Sequence, residues 1–476
     1  MIPSKYQQAV FDAIENTTDN LIIEAVAGSG KTWTIVEAIK KIKPMQRILF
    51  VAFNKHIADE LKRRVPSNVE TMTLNSFGWR VCLREFGRVT LDSKKTRGLI
   101  EKYSSKSAWY EPAQKIVSLL KANGGIENYE DMDSREFEKV ITEIIERQTI
   151  EVKDNNSAFI TLVKTVYKDG IKENKTMDFD DQIFMPVKLG LKVPYYDVIM
   201  VDEAQDLTRT QAKLLQMIGG RVISVGDSRQ AIYGFRGADP QSMDNLKKLF
   251  NMKSLPLSIC YRCPKTHVKM ASAIVPQIEA ADNAKDGDVH FISENQILGY
   301  ISPGDLIICR TNAPLVKTCV DLISGGFKAS IKGRDFGRTL TTMCKRTGET
   351  NSPMSTFLGR LRELVDREVK SLRERNLSTE LIEDKYDCIK SLSSSCKSPT
   401  ELMMKIETLF SDDDNPSIML SSVHRAKGLE ADSVFILRPD LMPHPKCKEG
   451  WQIIQENNLK YVAYTRAKSQ MFLVER

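Results

Sequence analysis

No run of about 18 apolar residues occurs in the 476-residue chain, so the sequence predicts no membrane-spanning helix. The opening Met1-Ile-Pro-Ser-Lys-Tyr-Gln-Gln8 lacks the apolar core of a signal peptide, so the protein is expected in the cytosol of its cell or host. Histidine is scarce: five residues, too scattered to suggest a metal cluster. Nine cysteines, an odd number spread along the chain, argue for reduced thiols rather than a disulfide framework. The one C-x-x-C, Cys260-Tyr-Arg-Cys263, has no second pair at zinc spacing. Internal repeats and low-complexity tails are absent too. What remains is ordinary for a globular protein: 41% hydrophobic and 28% charged, long enough for about two to four domains. A net charge of +7 is compatible with a polyanionic partner but is weak on its own.

Against that background one segment stands out. Residues 21–32 read Leu21-Ile-Ile-Glu-Ala-Val-Ala-Gly-Ser-Gly-Lys-Thr32. An apolar run breaks into a glycine turn and is followed by the helix-like Ile35-Val-Glu-Ala-Ile39. This is the order of a phosphate-binding loop. Backbone N–H groups around Ala27, Gly28, Ser29 and Gly30 can wrap a phosphate, aided by the helix N-terminus. Lys31 reaches the outer phosphates and the Thr32 hydroxyl suits Mg²⁺. The usual pattern opens with glycine where this chain has Ala25, which puts one turn in question.

Two further apolar runs end in polar chemistry. Val198-Ile-Met-Val201 leads into Asp202-Glu-Ala-Gln-Asp206. Asp202 is placed to hold Mg²⁺ and Glu203 to orient and deprotonate an attacking water. Val222-Ile-Ser-Val225 leads into Gly226-Asp227 and then Gln230, Tyr233, Phe235 and Arg236. Gln230 can sense a γ-phosphate. The two aromatics offer faces for bases, and Arg236 offers a phosphate contact.

With these motifs in hand, the chain resembles the UvrD/Rep branch of superfamily 1 DNA helicases. Tyr6-Gln7-Gln8 is similar to the adenine-reading glutamine motif, with Gln7 better spaced than Gln8. Ile48 to His56 resembles the next motif, with Phe53, Asn54 and Lys55 near single-stranded DNA. Thr73-Leu-Asn-Ser-Phe-Gly78 resembles a DNA-contacting motif in which Ser76 is a candidate; Asn75 stands where many relatives have histidine. In Leu257-Ser-Ile-Cys-Tyr-Arg-Cys-Pro264 the resemblance implies that Tyr261 stacks on adenine and Arg262 reaches the γ-phosphate. In Ser421 to Glu430 it implies that His424 contacts DNA and Glu430 the ribose. In Asn458 to Lys468 it makes Arg466 a second arginine finger.

The resemblance implies an α/β fold: two RecA-like P-loop domains with parallel sheets, each interrupted by a mainly helical insertion, with ATP between them. Expected bounds are 1–79 and 177–252 for the first lobe, with a helical insertion at 80–176. The second lobe is expected at 253–337 and 416–476, with a small helical insertion at 338–415. Periodic segments such as Phe137–Ile145 and Leu361–Leu372 support helices in both insertions. Met177-Asp-Phe-Asp-Asp-Gln-Ile183 reads as a loop and helix start, not a metal site. Lys62-Arg-Arg64 reads as a solvated helix face. The chain ends ten residues after Arg466, which predicts no C-terminal nuclease or docking tail and fits a compact phage or mobile-element member.

The implied activity is ATP- and Mg²⁺-dependent movement along single-stranded DNA and unwinding at single-strand/duplex junctions, 3′ to 5′. Replication or repair proteins are the expected partners. Three alternatives stay open: an ATP-switched single-strand-binding or regulatory subunit that does not unwind, a 5′-to-3′ helicase, and an RNA-directed helicase, since stacking cannot distinguish RNA from DNA. A kinase-like small-substrate enzyme is disfavoured by the second arginine and the paired aromatics.

Overall fold

The computed structural model describes residues 2–123, 127–148, 150, 152, 157–232, 241–374, 378–411, 417–445, 447 and 450–475. The chain divides into two compact units, Met1–Ser258 and Ile259–Arg476.

The first unit is built on a parallel sheet of β1 (Leu21–Ala25), β2 (Ile48–Val51), β3 (Val69–Met72), β4 (Val198–Val201), β5 (Arg221–Gly226) and β6 (Lys253–Leu257). Their spatial order is β3-β2-β4-β5-β1-β6. Strands β2 and β4 are buried at every position, as parallel strands covered by helices on both faces must be. Side-chain alternation splits the core in two. Leu21 and Ile23 pack with Val10, Ile35 and Val36, whereas Ile22 packs with Leu49, Val201 and Leu214.

The segment expected as the first insertion folds into helices Lys95–Tyr103, Tyr110–Asn123, Ser134–Gln148 and Ser157–Lys172. Phe137, Ile141 and Ile145 are buried at helical spacing in a separate core. Helix Leu74–Phe86 runs through the expected boundary at 79/80. Its Phe77 and Val81 belong to the sheet core and its Cys82 to the helical core. The expected start of the second lobe at 253 is also corrected. Residues 253–257 pair with β1, from Leu21↔Lys253 to Ala25↔Leu257. This strand lies at the sheet edge, where Pro256 is tolerated because no ladder bond is needed on its outer side.

The second unit holds a seven-stranded parallel sheet. Its strands are β7 (Asp288–Ser293), β8 (Leu306–Cys309), β9 (Ala329–Lys332), β10 (Phe410–Ser411), β11 (Ile418–Ser422), β12 (Ala431–Leu437) and β13 (Ala467–Glu475). The order is β7-β13-β12-β8-β11-β9-β10. The segment expected as a small insertion contains helices Met354–Glu374, Glu380–Ser393 and Pro399–Leu409. Its expected start at 338 falls inside helix Arg334–Arg346, and its end supplies the edge strand β10. Phe357, Leu361, Ile389 and Leu402 of these helices share one core with Ile307, Ile331, Leu420 and Phe435 of the sheet. Among the described residues no helix is long and apolar enough to cross a membrane.

Candidate nucleotide-binding site

Parallel pairing puts β4, β5 and β1 side by side, so the three motif segments that follow them emerge at one edge of the sheet. The phosphate loop leaves β1 at Ala25. Its left-handed turns fall at Gly28 (φ +69°) and Gly30 (φ +75°). Both favour glycine, which reaches the left-handed region without the steric cost a Cβ brings. Ala25 stays in the strand, so its substitution for glycine strains no turn. Gly30 opens helix Lys31–Ile39. Ala27 and Ser29 are buried, and the buried Ser29 hydroxyl has no protein hydrogen-bond partner. An orphaned polar atom in a loop of left-handed glycines at a helix N-terminus suits an anion.

Lys31 sits among acids. Its ammonium lies 3.4 Å from Glu203 Oε1. Burial opposes its charge, but Glu203, Asp227 and Asp202 together outweigh that and raise its pKa. Burial and the neighbouring Glu203 push Asp202 up to about 7, with Lys31 opposing. Burial likewise raises Asp227. Glu203 is one of the non-glycine residues held at positive φ (+51°, ψ +43°). That conformation costs on the order of 1–3 kcal/mol and persists only where surroundings enforce it. Here Asp202 Oδ1 accepts the Glu203 N–H at 2.9 Å, and the Gln205 amide donates to Glu203 Oε2.

The donor set fits Mg²⁺. The Thr32 hydroxyl and the Asp202 carboxylate are hard oxygen ligands, and a divalent cation would compensate the buried charge of Asp202.

Two residues in this cluster had no role in the sequence reading. Asp227 Oδ2 accepts from the Gln230 side chain at 2.7 Å, and its N–H donates to Gln205 Oε1 at 3.0 Å. Gln205 therefore bridges Glu203 to the end of β5. A Cβ on Gly226 would stand 2.6 Å from that same Oε1, so a larger residue there would displace the Gln205 side chain. The signal was present in Gly226-Asp227 itself: a small residue, then an acid, at a buried strand's end.

Gln7 is buried beneath the loop. Its Oε1 accepts from Ser4 N at 2.9 Å and its Nε2 donates to Thr34 Oγ1 at 3.2 Å. The amide is thus tied both to the start of its own helix and to the helix behind the phosphate loop. Gln7→Ala should weaken ATP binding by roughly three- to tenfold, the worth of about one neutral hydrogen bond, and leave GTP binding unchanged. Competition of the two nucleotides for a fluorescent analogue measures this. Equal losses for both would remove the adenine-reading role.

In the second unit Arg262 follows the short strand Ile259–Cys260. Its Nε lies 2.6 Å from Glu430 Oε2, and its Nη1 donates to the Thr465 carbonyl at 3.3 Å. Lys468 takes the other Glu430 oxygen at 2.7 Å. Burial opposes ionisation of Glu430, but Lys468 and Arg262 hold its pKa below the usual range. Tyr261 is exposed beside this cluster. Arg466 differs from a free arginine finger. It is 1% exposed, and its guanidinium donates to Val462 O (2.8 Å), Leu429 O (3.2 Å) and Thr465 Oγ1 (3.1 Å). Burial and the like charge of Arg262 lower its pKa to about 10, so it stays cationic at neutral pH. His424 is half-buried, and burial with the nearby Arg310 lowers its pKa to about 3. In this environment the neutral imidazole is the favoured form at neutral pH.

Of the other DNA candidates, Phe53, Asn54, Lys55 and Ser76 are exposed. Asn54 also caps helix Lys55–Lys62, accepting the Ile57 N–H at 2.9 Å. Tyr233, Phe235 and Arg236 lie outside the described residues. Phe179 had no role in the sequence reading. It is 57% exposed, and its carbonyl accepts from Asn75 Nδ2 at 2.9 Å, beside Ser76.

The UvrD/REP helicase N-terminal domain matches residues 6–251, more than half of the chain. The protein belongs to the UvrD/Rep helicase family. The UvrD-like helicase C-terminal domain matches residues 417–474, which carry Glu430 and Arg466. Over 300 residues the chain is 28% identical to the ATP-dependent DNA helicase PcrA of Staphylococcus aureus and 29% identical to that of Staphylococcus epidermidis. Each match covers 56% of this chain and 39% of the relative. The UvrD/Rep assignment agrees with the two parallel α/β sheets.

Proposed function

We propose that the protein hydrolyses ATP with Mg²⁺ and uses the energy to move along single-stranded DNA and open duplex, 3′ to 5′. The observation that carries this is Lys31 held among Glu203, Asp202 and Asp227 where three adjacent strands end. Phosphates would rest on the Gly28–Gly30 loop and Lys31. Thr32 and Asp202 would hold Mg²⁺, which supplies charge neutralisation on the phosphates. Glu203 would orient water and take its proton. Tyr261, Arg262, Glu430 and Arg466 of the second unit are proposed to act on the nucleotide, a reading supported by the resemblance of their motifs to those of the family. Arginine suits that task because its fork carries a fixed charge to a transferring phosphoryl group. A pure ATP switch needs no water-activating acid, and the enforced conformation of Glu203 favours turnover instead.

Phe53, Lys55, Ser76, Phe179 and His424 are proposed to face the strand, along with Tyr233, Phe235 and Arg236. Duplexes with a 3′ single-stranded tail should be unwound in the presence of ATP, and those with a 5′ tail should not. Affinity for single strands should fall with salt, the log–log slope being about −0.7 per phosphate contacted. Displacement from 5′ tails alone would reverse the polarity. ATPase unaffected by any oligonucleotide would remove the motor reading. A soluble cytosolic setting and replication or repair partners belong to the same proposal.

A further inference from the structure

The turn that presents Phe179 has an unusual support. Asp178 and Asp181 bracket the exposed ring, yet both carboxylates are buried, at 7% and 0% residue exposure. They lock their own turn: Asp181 N donates to Asp178 Oδ1 at 2.9 Å and Asp178 N to Asp181 Oδ2 at 3.1 Å. Two buried lysines from the helical insertion neutralise them. Lys95 Nζ donates to Asp181 Oδ2 (2.7 Å) and to the carbonyls of Gly170 (2.9 Å) and Glu173 (2.7 Å), using all three of its hydrogens. Lys121 Nζ lies 2.7 Å from Asp178 Oδ2 and 2.8 Å from Asp181 Oδ1. Thr96 Oγ1 adds a 2.6 Å bond to Asp178 Oδ2.

A buried network of this kind adds little stability over well-packed apolar residues, but it specifies one geometry. The geometry here has two outlets. On one side, Asn75 grips the Phe179 carbonyl and Gln182, and a Cβ on Gly78 would stand 1.9 Å from Gln182 O, so the 73–78 segment and this turn are pressed together. On the other, the Lys121 carbonyl accepts from Thr210 Oγ1 at 2.8 Å, at the start of the helix that follows the acidic run.

We propose that Lys121, seconded by Lys95, is a positioning residue through which the helical insertion fixes the Asp178–Asp181 turn and so aims Phe179 at single-stranded nucleic acid. The inference rests on the DNA reading above. It gives the insertion a part in strand binding without any contact to the strand.

A double-mutant cycle tests it, read by anisotropy of a labelled oligothymidylate. Phe179→Ala should weaken binding by roughly tenfold, the loss of one stacking face. Lys121→Met should weaken it similarly in the wild-type background and cause no further loss on top of Phe179→Ala. ATPase without DNA should stay near wild type in Lys121→Met. Thr96→Val, which removes the bond to Asp178 and the longer one from Lys121 but leaves both lysines in place, should show the same non-additivity at about threefold; it carries the cycle alone if Lys121→Met does not fold. A merely structural role predicts losses that multiply whichever residue occupies position 179, and that result overturns the proposal. Unchanged affinity in Phe179→Ala overturns it as well. Wild-type protein that binds no oligonucleotide would instead strike the DNA reading itself.

Discussion

Replacing Glu203 by glutamine should leave ATP binding within a few-fold of wild type and lower DNA-stimulated hydrolysis by about 10²- to 10⁴-fold, the usual contribution of a positioned general base. The substitution is nearly isosteric. Its amide oxygen can still accept from Gln205, and the backbone N–H at 203 can still donate to Asp202. Lys31 loses one of its three acidic neighbours but keeps Asp202 and Asp227, so the phosphate cradle stays charged and in place. What disappears is the carboxylate proposed to take a proton from water. Lys31→Ala should behave differently, weakening binding and turnover together, because it removes the phosphate contact itself. Binding is measured with a fluorescent nucleotide and turnover by phosphate release. Near-normal turnover in Glu203→Gln would show that another group activates the water.

Arg262→Ala should lower turnover by roughly 10³-fold or more, with ADP binding little changed, if Arg262 meets the charge that develops on the transferring phosphoryl group. The structure makes this the cleaner of the two arginine tests. Arg262 is partly exposed, and its ion pair with the half-exposed Glu430 is worth at most about 1 kcal/mol after solvent screening. Folding should survive its loss. Arg466 is another matter, since removing a fully buried guanidinium strips three hydrogen bonds and empties its site. Arg466→Ala is expected to destabilise the second unit by about 3 kcal/mol. Its turnover must therefore be read beside its melting temperature. Arg262→Ala with normal hydrolysis and an unchanged melting temperature would dismiss the arginine-finger assignment.

The candidate site was legible because its residues lie close together in sequence. Gly28, Gly30, Lys31 and Thr32 are adjacent in sequence, and so are Asp202 and Glu203. Apolar runs before each motif announced buried strands, and a parallel sheet brings such strand ends together. The boundaries were less legible. Residues 253–257 read as the opening of a new lobe because nothing in Lys253-Ser-Leu-Pro-Leu257 says which sheet an edge strand joins. Helix Leu74–Phe86 crosses an expected boundary because one helix can bury Phe77 in one core and Cys82 in another.

From sequence alone came the family, the two-sheet α/β class and the residues of the phosphate loop and acidic run, all carried by short-range order and spacing. Only tertiary structure decided how those groups are held. It placed Asp227 and Gln205 beside Glu203, forced Glu203 to positive φ and sank Arg466 among backbone carbonyls. It also drew Lys95 and Lys121 onto Asp178 and Asp181 across 57 to 86 residues of chain. Hydrogen bonds and ion pairs at that separation depend on which surfaces the folded cores bring into contact, and no local pattern of residue types encodes that meeting.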